Sequence, residues 1–259
     1  MIDTPYLSLI VPAYNEARSI RRALDAIRSY LDQQPYSYEI IVSADGDDGT
    51  RELVAELAAR DARLSVIGSA ERGGKGRGIR NGVALASGQL IGFVDADYKT
   101  PIEELDKLMP WFDRGCDVVI GSRALADSRI EVPQPLYRQL GSRAFGVAMH
   151  LIIGLWQIHD TQCGFKFFRG DVARDLFSHQ RVDGYMFDVE VLHLAERAAY
   201  RIKEVGVRWH DDGDSRLDLV AGNWRNMLDL LSIRFGASTK RSATAPDVER
   251  VAHEKEASA

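Results

Sequence analysis

Two carboxylates, Asp95 and Asp97, stand at the end of the short apolar run Leu90 to Val94. If strand geometry persists to its end, residues two apart point to the same side. Carboxylates converging there repel each other unless a cation lies between them. Oxygen-only ligands favour a hard divalent ion, Mg2+ or Mn2+, with the remaining positions open to phosphate oxygens. The tripeptide alone fits a solvated loop better, because short motifs match by chance. Thr100 to Glu103 has the T-x-x-E form of a capping box, with Pro101 at the first helical position. The acids therefore sit where a strand hands over to a helix, at the carboxyl edge of an α/β sheet, where such folds bind ligands.

The elements needed to position them follow from the apolar pattern. Tyr6 to Val11 reads as a buried strand closed by Pro12, and Asn15 as the cap of a helix from Glu16 to about Leu31. Glu39 to Val42 is the next strand, then a turn at Asp45-Gly-Asp-Asp-Gly49, a helix through Ala59, and a third strand at Leu64 to Ile67. A glycine-rich loop, Gly73 to Gly78, leads into a helix ending near Gly88. After the acid pair come a helix to about Arg114 and a strand at Asp117 to Gly121. This alternation predicts one α/β domain with a mostly parallel sheet flanked by helices on both faces.

Beyond Gly121 the pattern loosens. Ser122 to Gln134 reads as a loop, Tyr137 to Trp156 as a long helix, Gln162 to Phe168 as a strand, and Val172 to Phe177 and Met186 to Ala199 as helices. Ile202 to Val207 is a last strand. Val220, Trp224, Met227, Leu228, Leu231 and Phe235 form the stripe of a C-terminal helix. The domain is expected over 1–236, with 237–259 as a disordered tail.

The 259 residues, 45% hydrophobic and 27% charged, have ample length for a core. A net charge of −5 argues against a nucleic-acid binder. Two cysteines, Cys116 and Cys163, give neither a disulfide framework nor a metal spacing. With no secretory pattern at the N-terminus and no spanning apolar run, the chain reads as cytoplasmic, without a transmembrane segment.

Five segments come in an ordered set: Val11-Pro-Ala-Tyr-Asn-Glu16, Glu39-Ile-Ile-Val42 with Asp45-Gly46, Asp95-Ala-Asp97, Gly121-Ser-Arg123 and Asp160-Thr-Gln-Cys-Gly-Phe-Lys166. Their order and spacing resemble family 2 glycosyltransferases of the GT-A fold. Asp160 to Lys166, followed by Phe187-Asp-Val-Glu190, looks most like the dolichyl-phosphate glucosyltransferase branch and its bacterial polyprenyl-phosphate relatives. The resemblance covers roughly Leu7 to Trp209. It implies a nucleotide-sugar half (about 1–121), an acceptor half (about 122–236), and inverting transfer of a hexose, glucose first, from a UDP- or GDP-sugar. Asp95 and Asp97 would hold Mg2+ or Mn2+ on the diphosphate, with Asp97 also catalytic. Pro12, Ala13, Tyr14, Asn15, Glu16, Asp45, Lys75 and Ala96 would line the nucleotide-sugar site. One departure stands out. The usual V-D-D-G-S appears as Ser43-Ala-Asp-Gly-Asp47, with Ala44 for the first acid and a loop one residue shorter, which leaves the base open. Backbone N–H groups of Gly73 to Gly78 and the Lys75 ammonium can approach a diphosphate, or the stretch is a flexible turn with a solvated lysine.

On the acceptor side the resemblance implies phosphate contacts from Arg123, Arg138 and Arg216, arginine being suited to bidentate phosphate binding. A phosphate monoester, with a second pKa of about 6, attacks without a strong base. A sugar hydroxyl needs a carboxylate within hydrogen-bond reach; Asp160 is that catalytic candidate and Asp188 the next. Otherwise Asp160 caps a turn, and Asp188 and Glu190 face solvent. The apolar stretch Ala144 to Trp156 is either an interfacial helix, a core helix, or a homodimer face. His150 reads as a buried histidine and Cys163 as a small packed residue. The expected partners are thus a nucleoside-diphosphate sugar, a polyprenyl phosphate and a membrane surface. The alternatives are a soluble hydroxyl acceptor, or sugar-nucleotide binding without turnover.

Overall fold

The apolar runs become the strands of one seven-stranded sheet. The computed structural model describes residues 4–131, 146–210 and 221–236, the last without the side chains of 221–224. Strands β1 (Leu7–Tyr14), β2 (Tyr38–Asp45), β3 (Leu64–Ile67), β4 (Leu90–Val94) and β5 (Val118–Ser122) alternate with helices α1 (Ile20–Leu31), α2 (Thr50–Ala58), α3 (Lys75–Leu85) and α4 (Leu105–Asp113). After the short strand β6 (Arg129–Ile130) and a helix α5 over 146–153 come β7 (Phe165–Arg169), α6 (Gly170–His179), α7 (Phe187–Arg197), β8 (Ile202–Gly206), β9 (Arg208–Trp209) and α8 (Ala221–Phe235). The sheet order is β3-β2-β1-β4-β7-β5-β8, and β6 pairs with β9 in a separate ladder.

Every pairing in the large sheet is parallel except those of β7, which runs antiparallel to both β4 and β5. That reversal positions the site. The carboxyl ends of β1, β2, β4 and β5 open on one edge, and β7 brings its amino-terminal lead-in, Asp160 to Gly164, to the same edge. The strands are buried on both faces, so they read as nearly continuous apolar runs. Leu7, Leu9 and Val11 join one core layer with Phe165 and Phe167. Ile10 joins the opposite layer with Phe93, Phe168 and Phe187. Each fully buried phenylalanine contributes roughly 2–3 kcal/mol.

Several local expectations are corrected. β1 runs through Pro12 to Tyr14; it pairs with β4 only as far as Ile10, so the missing proline N–H falls where one side of the strand has no ladder. Asn15 does not cap α1, which begins at Ile20 after Ser19; it is a left-handed residue (φ 53°) whose Oδ1 accepts the Asp47 N–H at 3.1 Å. No capping box forms. Pro101 precedes a 3-10 turn, Ile102–Glu104, and the Glu103 carboxylate instead accepts the Tyr98 hydroxyl. The glycine-rich stretch is loop only as far as Gly74. α3 begins at Lys75, and its glycines face neighbours: a Cβ would lie 2.4 Å from Val182 O at Gly76 and 2.8 Å from Ile10 Cγ2 at Gly82. The strand expected from Gln162 starts only at Phe165.

Of the expected long helix, residues 137–145 lie outside the described residues; the described part ends before Gly154, left-handed at φ 95°. The C-terminal stripe is turned outward. Leu230 is buried, while Leu228, Leu231 and Phe235 are exposed, Phe235 at 76%. Val220 and the expected tail 237–259 also lie outside the described residues. Among the described residues no helix is long and apolar enough to cross a membrane.

Candidate active site

β4 stops at Val94, and Asp95 to Tyr98 form a tight turn: the Tyr98 N–H meets Asp95 O at 3.2 Å, and Tyr98 is left-handed at φ 58°. The two acids are therefore carried by a turn rather than by strand alternation. Burial and the neighbouring charge of Asp95 push the Asp97 carboxyl above the usual carboxylate range, against the pull of Lys99. Each acid holds an ammonium. Lys75 Nζ lies 2.6 Å from Asp95 Oδ1, and Lys99 Nζ lies 3.2 Å from Asp97 Oδ2. Burial disfavours the Lys75 charge, but Asp95, Asp188 and Asp97 together outweigh it and hold the ammonium above the ordinary lysine range. Lys75 is thus not a solvated lysine. Gly164, in the turn before β7, rests on Asp95: a Cβ there would lie 1.9 Å from Asp95 Oδ2, so only glycine fits.

The amino end of α3 offers no free row of amides at these positions. Gly73 N–H donates to Asp45 Oδ2 at 2.8 Å, and the N–H groups of Gly76 and Arg77 donate to Asp183 O at 2.9 and 3.3 Å. This corrects the expected backbone cradle. Asp45, the last residue of β2, also accepts the Ser69 N–H at 3.3 Å. Beside it runs a groove lined by Ser43, Asp45, Ser69, Arg77, Gly78 and Asn81. Ala44 is buried in the core layer of Ile40 and Val42, so its side chain faces away from that groove. Ala13 and Ala96 are buried in the same layer, which leaves only their backbone to line a site.

An acid missed in the sequence fastens this region. Asp48 accepts the Ala17 N–H at 2.9 Å and the Thr50 N–H at 3.0 Å, while Thr50 Oγ1 accepts the Glu16 N–H at 2.9 Å. The two loops that follow β1 and β2 are thereby tied together. Its place two residues before Thr50, at the start of α2, was the available signal. The Tyr14 ring carries the Arg72 guanidinium at 4.4 Å.

Across the edge, Asp160 accepts the Arg123 Nε at 2.7 Å, its guanidinium Nη2 at 2.9 Å and its backbone N–H at 2.9 Å. Burial opposes the Asp160 charge, but Arg123 more than offsets it and holds the carboxyl at about 2. Glu204 on β8, also missed, fixes the turn by accepting the N–H groups of Asp160 and His159 at 2.8 and 3.0 Å. Behind lies a buried pair: Lys166 Nζ donates to Asp188 Oδ1 at 2.5 Å and to Cys163 O at 2.5 Å. Asp188 and Glu190, which the alternative reading placed on an exposed helix face, are 3% and 7% exposed. Burial pushes the Cys163 thiol up to about 12, so it is a packed residue without thiolate character. His150 is half-buried and stacks on Trp156 at 5.5 Å. Arg138 and Arg216 lie outside the described residues.

Two carboxylates at one turn suit a hard cation, yet among the described residues no three His, Cys, Asp or Glu side chains are grouped to hold a metal. The donor set fits an ion whose other ligands come from a bound phosphate and water.

A mostly parallel sheet with one reversed strand, flanked by helices, is the GT-A arrangement. Glucosyl-3-phosphoglycerate synthase from Mycobacterium tuberculosis, solved with UDP, shares the fold at a TM-score of 0.64 and 22% identity, over 88% of this chain and 80% of that one. Mannosyl-3-phosphoglycerate synthase from Rubrobacter xylanophilus does so at 0.65 and 17%, over 93% and 79%. Residues 8–177 match the family described as Glycosyl transferase family 2. Among sequence relatives, a dolichyl-phosphate beta-glucosyltransferase of Trichomonas vaginalis is 35% identical over 90% of this chain and 75% of its own length. The dolichyl-phosphate beta-glucosyltransferase of Homo sapiens is 31% identical over 90% and 76%. The chain belongs to glycosyltransferase family 2, and it is a hexosyltransferase.

Proposed function

We propose that the chain transfers glucose, with inversion, from UDP-glucose to a polyprenyl phosphate of the dolichyl type. The relatives' names supply the sugar and the acceptor class. One observation of the structure carries the acceptor chemistry. Both candidate general bases are committed to cations, Asp160 to Arg123 and Asp188 to Lys166. Held at about 2, Asp160 has no useful proton affinity at neutral pH, and Asp188 is too buried to reach a substrate. A phosphate monoester, already an anion, needs neither.

In this reading Asp95 and Asp97 hold Mg2+ or Mn2+ against the diphosphate; related folds have been crystallised with UDP and Mn2+ or Mg2+. The ion stabilises charge on the departing diphosphate when bound. Lys75 adds a second positive group from α3. Tyr14 to Glu16, the backbone of Pro12, Ala13 and Ala96, and the groove beside Asp45 take the nucleoside end. Arg123, partly exposed beside the Trp209 ring, takes the acceptor phosphate.

A polyprenyl tail is too apolar to leave a bilayer, at about 0.8 kcal/mol per buried CH2, so the enzyme works against a membrane surface, on its cytoplasmic side. Exposed Val147, Leu151 and Trp156 at α5, and Leu228, Leu231 and Phe235 on α8, supply an apolar surface for that contact. A homodimer through the same face is the competing occupant, separated by sedimentation in detergent.

The test is transfer of labelled glucose from UDP-glucose, with Mn2+, to a short polyprenyl phosphate and to a panel of free sugars. Lipid-linked, β-configured product is expected from the parent, and none from Asp97→Ala. Transfer to free sugars with none to the lipid phosphate would sink the proposal. GDP-glucose in place of UDP-glucose reports the base.

A further inference from the structure

The acid pair is already neutralised from within. Asp95 is matched by Lys75 at 2.6 Å, and Asp97 by Lys99 at 3.2 Å. The Lys99 backbone is itself anchored. Its N–H donates to Asp97 Oδ1 at 3.3 Å and its carbonyl accepts the His210 N–H at 2.9 Å, while Glu104 ties Arg208 next to it. The nearby Asp188 adds no free negative charge, because Lys166 occupies it. A divalent cation approaching this edge alone therefore meets two carboxylates whose charge two ammonium groups have cancelled.

We propose that Lys75 and Lys99 are built-in counter-ions that keep Asp95 and Asp97 from a divalent cation until a diphosphate arrives, so that metal and nucleotide bind as a unit. The geometry favours Lys75 as the mover. It is the first residue of α3, the helix whose Arg77, Gly78 and Asn81 line the groove beside Asp45, and its four-carbon stem lets the ammonium swing without disturbing the helix. A diphosphate gives that ammonium a second anionic partner. Asp95 is then released to the metal, which the same phosphates help to ligate. The coupling is reciprocal: the nucleotide raises metal affinity by the factor by which the metal raises nucleotide affinity. This inference rests on the metal-and-diphosphate reading of the site and adds an order of events to it.

The experiment is a Mn2+ titration followed by electron paramagnetic resonance, with and without saturating UDP, on the parent, Lys75→Met, Lys99→Met and Lys75→Arg. UDP should tighten Mn2+ binding to the parent by about 100-fold, after correction for Mn2+ bound by free UDP. Lys75→Met should bind Mn2+ without UDP at least about 10-fold more tightly than the parent, and its response to UDP should shrink. Lys99→Met should shift the same way by less, and Lys75→Arg should stay like the parent. Equal Mn2+ affinity with and without UDP in the parent would overturn the proposal and leave the metal site standing. Lys75→Met that binds Mn2+ alone as weakly as the parent would overturn it as well. No Mn2+ uptake under any condition would overturn the metal reading and this inference together.

Discussion

The two halves of the catalytic edge hold their charges in opposite ways. On the β4 side the acids at the strand's end are about one-third exposed, and each leans on one flexible lysine. On the β7 side the carboxylates are sunk and multiply bonded: Asp160 takes three bonds from Arg123, and the Lys166–Asp188 pair is nearly inaccessible. Partly exposed single contacts exchange partners at little cost. Buried pairs do not, because separating them strands a charge in the interior. One side is built to trade ions and the other to hold a shape.

The sharpest way to break this contrast is at the sunken pair. Lys166→Met leaves Asp188 buried without its cation and should cost about 3–5 kcal/mol, read by urea unfolding. Lys166→Met with Asp188→Leu should recover most of it. A loss as small as that of a surface pair would remove the distinction.

Next comes the acid limb. The Asp160 carboxyl lies lower in the folded chain than in the unfolded one, near 2 against an ordinary 3.8. Its contribution is complete above pH of about 4 and disappears as pH falls toward 2, amounting to about 2 kcal/mol. Arg123→Leu should abolish that limb in a pH series of melting temperatures. Lys75→Met, by contrast, should change stability by about 1 kcal/mol or less while UDP affinity in Mn2+ falls.

The smallest effect tests burial far from the edge. His193 on α7 is buried, with neither ring nitrogen bonded among the described residues, and desolvation, helped by Arg197 and Arg234, lowers its pKa below 6.5. The unfolded chain therefore takes up the proton first. Stability is full above pH of about 6.5 and declines as pH falls through it, a decline that His193→Leu should flatten.

What the sequence disclosed follows from the range of the forces involved. β3 and β4 match their apolar runs at both ends, because a strand buried on both faces leaves an unbroken signature. The acid pair at the end of β4 was visible for the same reason. The glycines of α3 misled, since glycine signals a turn locally while here it answers the closeness of Val182 and Ile10, distant in the chain. Asp48 and Glu204 escaped notice because a single acid shows nothing of the loop amides it collects. The stripe on α8 was legible but not its exposure; periodicity marks an apolar face without saying what covers it.

The reversed course of β7 carries one more implication. Both borders of the stretch between β5 and β7 are stitched into the sheet, by Val119↔Phe167 on one side and Gly92↔Phe167 on the other. That stretch is in effect a cassette clamped at both ends. Changing its length or sequence would leave the strand register on either side as it was.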